Sequence, residues 1–197
     1  MTIWNEHMIA RAISLQTLAR KCVVLVDNCN WTGHECDVLG VTTDLRIIDV
    51  EVKISRGDLK ADAKKDKWWK SLTWNEKMAA GRVPENRELW DHRDPVEHPR
   101  KVWKHYYALP KDIWKPDLLE FLPSKASGVL LVSDRNGLIE VCCARRATPN
   151  NDAYRLTPQN VMDIARLANL RMWESYKSAE MARQDANHWR QQVGEAA

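Results

Sequence analysis

The segment Asp49-Val50-Glu51-Val52-Lys53-Ile54 alternates strictly between polar and apolar residues. On a strand, Val50, Val52 and Ile54 share one face, and Asp49, Glu51 and Lys53 share the other. Any half-exposed antiparallel strand with a solvated polar face displays such alternation. The preceding run, Glu35-Cys36-Asp37-Val38-Leu39-Gly40-Val41, offers a second meaning. There Glu35 and Asp37 lie on one face with Leu39 and Val41. If the two runs form a hairpin, the length of the connection decides which faces coincide. An odd connection, Thr43–Leu45, pairs Thr42 with Arg46 and sets Asp37 opposite Glu51 and Glu35 opposite Lys53. A connection of even length puts Asp37 and Glu51 on opposite faces.

With the odd connection, two carboxylates stand directly across a ladder, their Cβ atoms roughly 5 Å apart. Like charges in that position are unfavourable unless a cation lies between them. Clustered hard oxygen ligands suit Mg²⁺ or Mn²⁺, which keep several waters and accept phosphate oxygens. Lys53 follows Glu51 on the same face. Its ammonium could orient an attacking water or offset charge on a phosphorane-like transition state. It could act as a base only with a strongly depressed pKa. Asp, then Glu-x-Lys, is a coherent kit for metal-assisted phosphodiester hydrolysis.

The surrounding elements must position that kit. Residues 5–20 read as a helix capped by Asn5, with Glu6 in its first turn. Strand-like runs occupy 22–29, 35–41, 46–54, 105–109, 128–134 and 138–144, with Arg135-Asn136-Gly137 as a tight turn between the last two. The charged stretch from Arg56 to Trp69 reads as a helix, and 70–102 as an insertion of loop and short helix. Thr157-Pro158 caps and opens a long helix reaching about Arg190, apolar in its first half at Val161, Ile164, Ala165, Ala168 and Met172. That helix is expected to dock with its first half and to project or self-associate with its second, which leaves a homodimer through the C-terminal helix open. The expected architecture is α/β: a mixed sheet of roughly five strands, helices on both sides, a domain over 1–150 and a helical extension over 151–197.

The runs CDVLGV and IIDVEVKISRGDLKADAKKDKW resemble the PD-(D/E)xK nuclease superfamily, and more closely the MmcB-like group linked to DNA repair. The matching positions are Glu51, Lys53, Ser55, Arg56, Asp58, Leu59, Asp62, Lys67 and Trp68, with HYYALP and LPSKASGVLLVSD further on. The resemblance covers about residues 5–145. It implies a restriction-endonuclease-like mixed sheet and hydrolysis of DNA in repair, recombination or phage DNA processing. It also implies Asp37 and Glu51 as metal ligands, Lys53 as the catalytic lysine and the Val52 carbonyl completing the metal site. Glu6 and Glu35 are accessory carboxylates under this reading, although Glu6 fits better as a first-turn acid favouring the helix dipole. The chain departs from the group after Lys67-Trp68, where more than thirty residues precede the aromatic strand and Val102-Trp103 stands where Cys-Asp is expected.

The 197 residues carry a formal net charge of only +3. Resolved along the chain, residues 1–54 hold five Lys/Arg against seven Asp/Glu, whereas 55–105 hold thirteen against nine. The second stretch also carries Trp68, Trp69, Trp74, Trp90 and Trp103. Basic side chains among aromatics suit phosphate contact with base stacking. Arg56, Lys64, Lys65, Lys67, Trp68 and Lys70 are the candidate nucleic-acid contacts, and a solvated helix face over packed tryptophans is the alternative. No apolar run approaches the ~20 residues of a membrane span, and no signal-peptide pattern opens the chain. Five cysteines without a secretory signal point to reduced thiols in the cytoplasm. Cys22, Cys29 and Cys36, with His34 nearby, invite a zinc reading, but without a CxxC pair they fit small buried residues better. Nucleotide-loop, zincin and nucleophile-elbow motifs are absent from the sequence. A catalytically silent module on the same fold, binding nucleic acid or protein, is the second class of function.

Overall fold

The computed structural model describes residues 3–82 and 87–195. Helix α1 (Glu6–Ile13) starts where the Asn5 side chain accepts the Met8 N–H at 2.8 Å, and it continues through a wider π turn at Ser14–Leu18. Strands β1 (Cys22–Cys29), β2 (Cys36–Thr42) and β3 (Ile47–Val52) follow. Next come α2 (Arg56–Ala61), two tight 3-10 turns at Asp62–Lys64 and Asp66–Trp68, and the short strand β4 (Trp69–Lys70). Helices α3 (Trp74–Ala79) and α4 (Arg87–Asp91) precede β5 (Asp94–Pro95), which pairs with β4. The chain then forms β6 (Val102–Pro110), β7 (Gly128–Arg135), β8 (Leu138–Arg145) and α5 (Pro158–Glu195).

Six strands make one mixed sheet in the order β1-β2-β3-β6-β7-β8, one strand more than the roughly five expected. The β1-β2-β3 meander is antiparallel, β3-β6-β7 is parallel, and β8 closes antiparallel on β7. Parallel neighbours need long crossovers. The charged stretch and the 70–102 insertion together supply the crossover from β3 to β6.

The connection between β2 and β3 is the odd one. Thr42 N–H donates to the Arg46 carbonyl at 2.9 Å and Leu45 N–H to the Thr42 carbonyl at 3.0 Å, with Leu45 in the left-handed region at φ 62°. The Thr42 hydroxyl accepts the Arg46 N–H and donates to Asp44, fixing the loop from inside. The register Val38↔Val50 and Leu39↔Asp49 follows, and one step further along it Asp37 faces Glu51.

Alternation then sorts the side chains. On one face, Ile9 and Ile13 of α1 and Leu18 pack on Val38, Ile48, Val50, Val52, Ala108, Leu130 and Val132. The other face carries two separate apolar patches. Ile164 of α5 and Leu156 cover Val26, Leu39, Val41, Ile47 and Val102. Leu59, Trp68, Leu118 and Leu122 cover Tyr107, Leu109, Val129 and Leu131. Asp49, Glu51 and His105 lie between these patches, all buried.

One expectation changes. The helix read over 56–69 stops at Ala61, because Lys65 adopts an extended conformation (ψ 140°) between the two tight turns. That break lets Asp62 and Trp68 both turn inward, which a continuous helix six residues apart would not allow. The tail helix docks as expected: Ile164 is fully buried, while Trp173, Tyr176, Met181 and Trp189 are exposed. Among the described residues, no helix is long and apolar enough to cross a membrane.

Gly128 marks the tightest strand approach: a Cβ there would meet the Tyr106 ring and the Ala147 backbone nitrogen, the latter at 2.7 Å. Gly128→Ala is therefore expected to lower stability by about 1–3 kcal/mol, the usual range for overpacking, measured as a shift in the urea midpoint.

Candidate functional site

The polar stripe on the α5 side of the sheet is assembled from three pieces of chain. Strand β3 contributes Asp49 and Glu51, and Lys53 follows at its end. Strand β2 contributes Asp37 from across the ladder. The tight turns after α2 contribute Asp62, Lys65 and Lys67.

The last piece brings the ions together. Lys53 Nζ lies 3.0 Å from Glu51 Oε2 and 3.0 Å from Asp62 Oδ1. Lys65 Nζ lies 3.1 Å from the same two oxygens, so two carboxylates and two ammonium groups form a square of alternating charge. Lys67 Nζ reaches the other Glu51 oxygen at 2.5 Å, in an ion pair that lacks the angles of a hydrogen bond. Asp62 Oδ2 additionally accepts from Trp68 Nε1 at 3.0 Å and from the Tyr107 hydroxyl at 2.6 Å.

Burial opposes every charge here, and the neighbours decide the outcome. Burial would raise the carboxyl pKa of Glu51 and Asp62, but Lys67 and Lys53 outweigh it and hold both below the usual range. Burial would lower Lys53, but Glu51 and Asp62 keep its pKa above the ordinary lysine value. Lys53 is thus a fixed cation at neutral pH, and the base role open in the sequence does not fit this arrangement. Asp37 differs. Its Oδ2 accepts the Val52 N–H at 2.6 Å, yet burial, reinforced by the Glu51 charge, pushes its carboxyl up to about 6. Asp37 is the under-compensated carboxylate of the group.

These residues fit a hard divalent cation. Asp37 and Glu51 face one another in register, and Asp37 lacks a cationic partner of its own. Lys53 N–H points toward β6, donating to Ala108, so the Val52 N–H and carbonyl both point toward β2 and Asp37. The Lys65 side chain, 51% exposed, is a cation that can leave Glu51 and Asp62 for solvent. Asp37, Glu51 and the Val52 carbonyl would hold the ion.

Other expected positions fall differently. Glu6 is exposed in the first turn of α1, across the sheet from Glu51, so it is no accessory carboxylate of this stripe. Glu35 is exposed ahead of β2, because the paired ladder stops before it could face Lys53. Trp68 is 2% exposed and tied to Asp62, so it packs in the core and offers no stacking face. The Lys67 side chain is also 2% exposed and is spent on Glu51 rather than on a phosphate. Arg56 donates through Nε to the Ile113 carbonyl at 2.6 Å, and Lys64 is exposed on the first tight turn. Lys70 pairs with Glu76 at the surface. Together with Trp69, His98, Arg100 and His34 it lines a cleft of about 560 Å³. Trp103 stands on the α1 face with Arg46 and Lys104 over its ring, away from the stripe.

Asp62 is the central residue that spacing did not single out as a site residue, although it stands in the SRGDLKAD run. Its signal is an acid, followed by Asp66, in a lysine-rich stretch, eight residues before Lys70.

Two measurements check this electrostatic picture. A folded-state pKa raised above its unfolded value means that the fold holds a proton the unfolded chain has lost, so stability falls as pH rises from about 4 to about 6. Asp37→Asn keeps an acceptor for Val52. Without metal it should stabilise the protein by about 1–2 kcal/mol at pH 8, after allowance for screening, and by nothing at pH 4, read from urea midpoints. Asp62→Ala should cost about 3 kcal/mol or more at pH 7, since it strands buried cations and two donors.

No family model matches the chain, and no curated protein matches it. Among solved structures it is similar to the SPO1766 protein of unknown function from Silicibacter pomeroyi. The two share 17% identity over 91% of this chain and 94% of that one, with a TM-score of 0.52. At that identity the likeness is one of fold, a mixed α/β sheet flanked by helices with a long C-terminal helix.

Proposed function

We propose that the protein is a Mg²⁺- or Mn²⁺-dependent nuclease that hydrolyses DNA phosphodiester bonds, as its resemblance to the PD-(D/E)xK superfamily implies. The observation that carries this reading is the meeting of Asp37 and Glu51 across β2 and β3, with Lys53 held against Glu51. A bound divalent ion would supply Lewis-acid activation of a phosphate oxygen and of water.

The chain's own residues do the rest. Asp37, Glu51 and the Val52 carbonyl would hold the ion. Lys53, kept protonated by Glu51 and Asp62, presents positive charge where a phosphoryl centre gains negative charge. Asp62 acts on Lys53 and not on substrate, as a positioning residue buttressed by Trp68 and Tyr107. Lys65, half exposed, would be the cation free to give up its place on Glu51 to such an ion. The neighbouring cleft, with Lys70, His98, Arg100 and the partly exposed Trp69, suits a phosphate backbone and a stacked base.

A second reading has its own support. Both Glu51 oxygens already have ammonium partners, as they would in a silent module whose ion network serves only the fold. The assay that separates the two uses supercoiled, linear duplex, single-stranded and flapped DNA with Mg²⁺ or Mn²⁺. Cleavage should require the metal and fall by about 10²–10³ in Lys53→Met, with DNA affinity little changed. DNA binding without cleavage of any form in either metal would favour the silent module.

A further inference from the structure

A separate cluster lies one row along β3 from Glu51. His34, in the loop before β2, turns its Nε2 to within 3.1 Å of Asp49 Oδ2. Cys36, the first residue of β2, completes a group whose three ligand atoms all lie within 4.8 Å of one another. Cys36 and Asp49 are both fully buried. The cluster differs from the zinc set suggested by spacing. Cys22 and Cys29 stand at opposite ends of β1, about 23 Å apart at the usual strand rise, and cannot share an ion.

The His34–Asp49 contact is braced by Thr32, itself fully buried, whose hydroxyl donates to the His34 carbonyl at 2.9 Å. The same oxygen lies 3.3 Å from His34 Nδ1 and 3.5 Å from Cys36 Sγ, so one small side chain holds both residues in place. His34 Nε2 and Asp49 Oδ2, 3.1 Å apart, share a proton in a hydrogen bond, and a metal ion can take that proton's place.

Two further atoms point the same way. Asp49 Oδ1 is buried without a hydrogen-bond partner, and so is His105 Nε2. His105 Nε2 lies 3.9 Å from Asp49 Oδ2, and its ring is steadied at the other nitrogen by Ser127 Oγ at 3.0 Å. Buried polar atoms left without partners are rare in folded proteins.

We propose that His34 Nε2, Cys36 Sγ and Asp49 bind one zinc-class divalent ion, with His105 Nε2 as the donor for the fourth position. Imidazole and thiolate select such an ion over Mg²⁺ or Ca²⁺. Ligand atoms in a tetrahedral zinc site stand roughly 3.3–3.5 Å apart given bonds of about 2.0–2.3 Å, so the three ligand atoms, all within 4.8 Å of one another, close by up to about 1.5 Å, and His105 Nε2, outside that group, moves toward them. Binding forms a metal–sulfur bond and breaks the Cys36 S–H bond, and it displaces the proton shared by His34 Nε2 and Asp49; both protons go to solvent. A thiolate and a carboxylate then neutralise the ion's two positive charges within the cluster. Thr32 and Ser127 hold the outer nitrogens of the two rings, as supporting groups do around metal-bound histidines. The cleft lined by Thr32, His34 and His98 gives the ion a way in from solvent. The site is independent of the nuclease reading: it uses none of Asp37, Glu51 or Lys53.

Cobalt(II) provides the test, because a thiolate ligand gives a near-ultraviolet charge-transfer band and tetrahedral geometry gives intense visible bands. The background should be Cys142→Ser/Cys143→Ser, which removes the two exposed thiols. After chelator treatment, this protein should take up one Co²⁺ per chain with both signatures, and Zn²⁺ should displace it. Cys36→Ser should abolish the charge-transfer band, and His34→Gln, on a partly exposed loop, should weaken Co²⁺ binding at least tenfold. Cys29→Ser should leave the spectrum unchanged. Absence of the bands in the background protein, or their persistence in both Cys36→Ser and His34→Gln, would overturn the proposal and leave a proton-bridged pair in its place.

Discussion

Glu51 and Asp62 are ionised carboxylates shut away from water, and the architecture around them follows from what that requires. Removing such groups from solvent costs several kcal/mol each unless cations and hydrogen bonds meet them at close range. Here Lys53, Lys65 and Lys67 meet them, and Trp68 and Tyr107 take up the remaining capacity of Asp62. The three lysines come from two pieces of chain, one at the end of β3 and one in the tight turns. The network therefore locks the crossover onto the sheet. A helix continuing beyond Ala61 would have carried Lys65 and Lys67 around its circumference, and the turns hold them on one side.

The sheet acts as a divider. Its α1 side is wholly apolar beneath Ile9 and Ile13, whereas its other side carries two greasy patches with a charged seam between them. The seam persists because each of its members finds a partner on a neighbouring strand or turn. Where partners run short, at Asp37 and at the Asp49–His105 row, the surplus takes the form of a raised pKa or of unpartnered atoms. Under the two proposals made above, a positive ion would relieve each shortfall, a hard one at Asp37 and a softer one beside Cys36.

Much of this was legible in the residues themselves. Period-two alternation put Asp49, Glu51 and Lys53 on one face, and an odd connection put Asp37 opposite Glu51; both follow from strand geometry alone. The strands, the capped first helix and the half-docked tail were equally readable from local pattern. Lys67 and Trp68 read as nucleic-acid contacts, and Asp62 as no more than a position of the family resemblance, because the burial of all three depends on the break at Lys65, which local pattern does not show. His34 and Cys36 meet Asp49 only through the pairing of distant strands, which spacing along one segment cannot reveal. Glu35 failed for a simpler reason: the ladder ended before reaching it.

The three-residue connection Thr43–Leu45 carries a burden unusual for a surface loop. Loops ordinarily tolerate insertions and deletions better than the elements they join. Here the loss or gain of one residue would rotate β3 by half a turn relative to β2, burying Val50 and Val52 in the seam and driving Glu51 under α1. The residue type at exposed Thr43 can drift, whereas Asp44 braces the loop through Thr42 and Arg46, and the length cannot change. In descendants of this chain, an indel at that hairpin tip should be as rare as a substitution of Glu51 itself.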